Sequence, residues 1–153
     1  MAASRLREAW ARLCAVSGLR FIAKSSSGTS NGSGSGTATV TIATLDAATI
    51  TFSEQGKWKP DAGKELSFRN VFRWTLAEEA GVIRLERLRP GTKRPVHLFD
   101  LAPGDDGVFL PIEPYHCGSD VYMAMMALKP DAIHMIWNVR GAEKDETFHY
   151  IYL

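Results

Sequence analysis

The chain of 153 residues is short of the features that most directly announce a function. It has two cysteines, Cys14 and Cys117, far apart and in no Cys-x-x-Cys pair. That excludes a disulfide-dense secreted scaffold and leaves two free thiols in a reducing compartment as the expectation. No apolar run approaches the roughly 20 residues that cross a bilayer, so no transmembrane segment is expected. Net charge is only +1, which removes the global field that would draw in nucleic acid or an anionic membrane surface. Arg69 and Arg73 are too few for a nucleic-acid surface, and exposed aromatics placed to stack on bases are not evident. The Gly/Ser tract lacks the Gly-Lys-Ser/Thr ending of a phosphate loop, and no His-x-x-x-His pair occurs. No metal and no other cofactor is therefore expected.

What is present belongs to an ordinary globular chain, with 45% hydrophobic and 23% charged residues in a length that suits one domain, 1–153. The N-terminus stands apart. Up to Lys24 it carries Arg5, Arg7, Arg12 and Arg20 against the single acid Glu8. An arginine-rich, acid-poor start fits an organelle transit peptide. It also fits a structural helix over 2–17, with Ser4 as N-cap, Leu6, Ala9, Trp10, Leu13 and Val16 on one stripe, and Gly18 as the stop. The large apolar residues in mid-stripe favour the docked helix, and with it a cytoplasmic protein.

The tract from Ser25 to Gly36 has no apolar residue and is expected to be a flexible loop. Beyond it the hydrophobic period becomes two. Ala38, Val40 and Ile42 alternate with threonines, and so do Ile50 and Phe52. Glu54 to Glu65 is a polar, Gly/Pro-containing connection. Leu66, Phe68, Asn70, Phe72, Trp74 and Leu76 then share one strand face. Ile83 and Leu85 share a face with Arg87 ahead of the turn at Arg89–Pro95, and further strands are expected at 96–101, 121–128, 133–140 and 147–152. Eight or nine strands at this rhythm, with no intervening helices, imply an all-β, closed or nearly closed antiparallel up-and-down barrel with an N-terminal helix near one opening. A barrel of this size is either filled by its side chains or holds one small ligand.

Two C-terminal segments carry a resemblance: Cys117-Gly-Ser-Asp120-Val-Tyr122, and Trp137-Asn-Val139-Arg-Gly141 continuing to Lys144 and Asp145, ahead of a closing aromatic strand. In their order and spacing, with upstream stretches such as 36–42 and 81–91, they resemble a family of small calycin-like, lipocalin-type barrel domains of unknown function. The resemblance runs from about Leu19 to Leu153, implies the barrel and implies no reaction. His116 directly precedes Cys117 where that pattern sets one residue between them, and Ala142 stands in place of a usual proline.

The stretch Pro114–Met126 gathers His116, Cys117, Asp120 and Tyr122. On a strand His116 and Cys117 point to opposite faces, whereas Asp120 and Tyr122 share one. A carboxylate turned into the barrel needs a cationic partner. Arg87 and Lys144 are the candidates. The expected role is binding of a small, largely apolar or amphipathic molecule inside the barrel. Trp74, Tyr122, Trp137 and Tyr150 would supply walls, and Asn70, Arg87, His97, His116, Asp120 and Lys144 polar contacts. Two other roles follow from the same residues. One is a protein-interaction module with a filled barrel, and the other is an enzyme using His116, Cys117 and Asp120 at the barrel mouth.

Overall fold

The computed structural model describes residues 2–26, 33–89 and 94–153. Helix α1 (Ala2–Leu13) precedes eleven strands: β1 (Gly18–Ser25), β2 (Gly34–Asp46), β3 (Thr49–Pro60), β4 (Leu66–Ala77), β5 (Val82–Leu88), β6 (Pro95–Pro103), β7 (Val108–Pro111), β8 (Tyr115–Cys117), β9 (Asp120–Leu128), β10 (Ile133–Arg140) and β11 (Asp145–Tyr152). Each strand pairs antiparallel with its neighbours. The first strand pairs with the last, Leu19 opposite Tyr152, and β9 pairs with β10, so the sheet closes into a ten-stranded barrel. The short β8 adds to the start of β9 through a hairpin whose turn residue Gly118 has φ 60°, the left-handed region that glycine enters without a steric cost.

The alternation read along the sequence sets which face turns inward. Ile50, Phe52, Phe72, Trp74, Ile83 and Leu85 are buried in one core with Phe99, Phe109, Met126 and Met135. The expected connection at Glu54–Glu65 is corrected, since its first seven residues, Glu54–Pro60, complete β3. Gln55, Lys57 and Lys59 point to solvent, as their polarity requires, but the inward positions are Glu54, Gly56 and Trp58. A carboxylate and a glycine there concealed the period. The loop expected over 25–36 is shortened, because Ser25 ends β1 and Gly34–Gly36 begin β2, while 27–32 lie outside the described residues. The turn expected at Arg89–Pro95 is likewise described only at its ends.

The helix covers one end of the barrel. The helix expected over 2–17 is corrected to Ala2–Leu13, with Ser4 inside it rather than capping it and Gly18 opening β1; Leu6, Ala9, Trp10 and Leu13 are buried, as is Val16 beyond its last turn. Arg5 donates to the Gly104 carbonyl after β6, and Arg12 to the carbonyls of Lys129 and Ala132 between β9 and β10. Arg7 pairs with Glu78 between β4 and β5 at 3.0 Å. All these acceptors lie at one rim, so the helix plugs that end, and no described element covers the opposite, open end. No helix among the described residues is long and apolar enough to cross a membrane.

Candidate functional site

At the open end the barrel interior is not filled. A cavity of about 340 Å³ lies between the walls. Phe72, Trp137, Val139, Phe148 and Tyr150 form its body, and Val96, Leu98, Tyr115, Cys117 and Tyr122 one side of its mouth. These side chains come from six strands, and the closed register brings them together: Trp137 stands opposite Phe148, and Phe72 opposite Arg87. Trp137 packs against Phe99, Phe72 and Tyr150, with ring centroids 5.5, 6.2 and 6.3 Å apart. Such tilted aromatic contacts make a stiff apolar wall.

Asn70, Arg87, Arg89, Lys144 and Glu146 are the strongly polar lining residues, three cations against one anion. Beneath them is a buried cluster. The Tyr152 hydroxyl donates to Glu54 Oε2 at 2.6 Å, and Glu54 is fully buried with its Oε1 unpartnered among the described residues. Burial pushes the Glu54 carboxyl up to about 7, against the opposing pull of the Tyr152 hydrogen bond, the nearby Asn70 amide and the positive charge of Arg87. The Tyr150 hydroxyl is raised as well, by burial first and by Glu54 second. Arg87 Nη2 donates to Asn70 Oδ1 at 3.2 Å and makes no ion pair with any described carboxylate. By contrast, Arg73 on the outer face grips Glu86 through two bonds of 2.9 and 3.1 Å, and Arg84 reaches Asp100 at 2.9 Å.

Among the described residues the β4–β5 ladder ends at the Phe72–Arg87 pair. A slot of about 410 Å³ opens there, lined by Arg69, Asn70, Val71, Arg87, Leu88 and Arg89. Asn70, Arg87 and Arg89 border both the slot and the interior cavity.

Of the residues expected at the site, Asn70, Arg87, Tyr122, Trp137, Lys144 and Tyr150 line the cavity. Trp74 lies deeper, 1% exposed against Phe52, and is core. His97, expected to serve as a polar anchor, is on the outer face with its Nε2 3.0 Å from Asp100 Oδ1. The reason is an irregularity in the β5–β6 register: Phe99 pairs with Leu85 and His97 with Glu86, so both Leu98 and Phe99 are buried and simple alternation fails. Burial works to raise the Asp100 carboxyl, and the Arg84 and His97 bonds outweigh it and hold it low.

His116 is exposed and does not line the cavity, while its neighbour Cys117 does, the split that strand geometry demands. No hydrogen bond joins His116 to Cys117 or Asp120 among the described residues, and no described cluster of three metal-ligating side chains occurs. Asp120 meets Lys144, Oδ2 to Nζ 3.4 Å, rather than Arg87. This bond raises the Lys144 pKa. It also explains Gly141, where a Cβ would lie 2.0 Å from Asp120 Oδ1. The two C-terminal motifs thus meet at the mouth and clip the β10–β11 turn to the start of β9. Glu54, Arg89, Tyr115 and Glu146 were not anticipated in the sequence. The parity of Glu54 with Ile50 and Phe52 is the signal that would have found it.

Residues 17–153 match a family of unknown function (DUF6314), which α1 precedes. No curated protein and no solved structure matches the chain.

Proposed function

The chain belongs to the family of unknown function DUF6314, and we propose that its role is to bind one small, largely apolar molecule in the open half of the barrel. The observation that carries this is the cavity of about 340 Å³ with aromatic walls and a few polar lining groups, Asn70, Arg87 and Arg89 on one wall and Lys144 and Glu146 across from them. Concave apolar sites with a few convergent polar groups are the usual form of a small-molecule site. The likeness to lipocalin-type barrels is part of the proposal, supported by the antiparallel meander, its closure and the plugged opposite end. A protein-binding outer face has less support. Its large exposed apolar residues, among them Ile22, Leu45, Leu66, Leu110 and Met123, are distributed over β1, β2, β4, β7 and β9.

Native mass spectrometry of freshly purified protein is expected to show a co-purifying small molecule, and Cys117→Trp, which fills the mouth from an exposed cavity-lining position, to release it. A bulky thiol reagent on Cys117 should block binding in the same way, and bound ligand should slow that labelling. Unchanged ligand occupancy in C117W, with the fold intact by circular dichroism, would remove the cavity as the binding site.

A further inference from the structure

The charges of the site define the ligand more closely than its apolar walls do. Arg73 and Arg84 each have a carboxylate partner on the outer surface, and Lys144 has Asp120. Among the described residues Arg87 has only the neutral Asn70 oxygen in hydrogen-bond reach. It sits where the interior cavity meets the slot, with Arg69 and Arg89 on the same slot. A guanidinium is a planar fork suited to two oxygens of one anion. We propose that the ligand is an amphipathic anion whose apolar body fills the aromatic cavity and whose head docks on Arg87 at the arginine-lined slot. The proposal rests on the ligand-binding reading above and adds the chemical class.

A second consequence follows from what lies behind Arg87. The groups facing Glu54 are Tyr152 and Tyr150 from β11, Asn70 from β4 and Arg87 from β5, with Arg89, Lys144 and Glu146 nearer the mouth. Arg87 is the positive charge that favours ionised Glu54. An anion seated on Arg87 offsets that charge and adds a negative one, so binding favours protonated Glu54. The linkage has a definite sign. Where Glu54 is already neutral, affinity is independent of pH, and where Glu54 is ionised in the free protein, binding takes up one proton. Affinity then falls by up to about tenfold per pH unit as pH rises above the Glu54 titration.

Isothermal titration calorimetry of the full chain with decanol, decanoate and decyl phosphate separates the claims. Decanoate and decyl phosphate are expected to bind at least about tenfold more tightly than decanol, the advantage of one well-placed charged hydrogen-bonding pair. Arg87→Met should remove that preference, bringing both anions to about the affinity of decanol measured in the same variant. For decanoate, wild type should show proton uptake near neutral pH, read by repeating the titration in buffers of different ionisation enthalpy. Glu54→Gln should bind decanoate with the proton uptake gone. Decanol binding as well as the anions would overturn the anionic head and leave the apolar cavity reading standing. Loss of all three probes would overturn both. Tight anion binding unaffected by R87M would place the head elsewhere and overturn this assignment. Proton release, or no proton change, in wild type would overturn the link to Glu54 without relying on any variant.

Discussion

At Glu54, burial and hydrogen bonding oppose each other, and the balance is measurable. The folded carboxyl titrates at about 7 against an ordinary value of 4.5, so between those pH values the folded chain holds a proton that the unfolded chain has lost. The stability contributed by this group is therefore complete below the lower value and disappears as pH rises through the upper one. The size of the effect is about 3 kcal/mol at 1.36 kcal/mol per unit. Glu54→Gln keeps an acceptor for the Tyr152 hydroxyl and removes the charge. Thermal denaturation should show it more stable than wild type above neutral pH, with a flatter pH profile; an equal profile would mean that Glu54 is not the titrating group. Tyr152→Phe removes the hydrogen bond that lowers the Glu54 pKa, and should cost about 1–2 kcal/mol at neutral pH. The carboxyl was readable in the sequence as a residue but not as an interior one. Its own polarity, and Gly56 two positions on, interrupt the apolar pattern that marks an inward face.

Among the elements, α1 was the most legible, because its stripe at helical spacing needs only one surface to dock on. Leu13 is fully buried under it, so Leu13→Ala is expected to cost about 2–5 kcal/mol in urea unfolding. A cost under about 1 kcal/mol would mean that the helix does not hold to the barrel in solution. The strand β1 was not anticipated, nor were the strands β7 and β8. The latter two are four and three residues long, and Pro111 and Pro114 bracket the break between them, so neither is long enough to display a period. At the mouth, Gly141→Ala forces a methyl into the Asp120 carboxylate and parts it from Lys144. The expected result is a lower melting temperature together with faster amide exchange in the β10–β11 turn. Unaltered exchange there would show that the clip does not restrain the turn.

The whole molecule depends on a pairing between its two sequence extremes, for β1 and β11 meet over Leu19–Ser25 and Glu146–Tyr152. Removing residues 145–153 leaves β1 and β10 with open edges and takes Tyr152 away from Glu54. Cooperative urea unfolding should be lost in that truncation, and retention of a single sharp transition would contradict a closed ring. Much of this architecture is local information. Alternation, turn residues and the helical stripe are set by neighbours a few positions apart, which is why the sequence alone determined an all-β antiparallel barrel with an amphipathic N-terminal helix, the inward faces of β4 and β5, and the separation of His116 from Cys117. Closure, register and shape are decided between residues far apart in the chain. Only the tertiary structure therefore showed that Asp120 meets Lys144 and not Arg87, that His97 turns outward at an irregular β5–β6 pairing, and that Arg87, in no ion pair among the described residues, borders both an aromatic cavity and a slot.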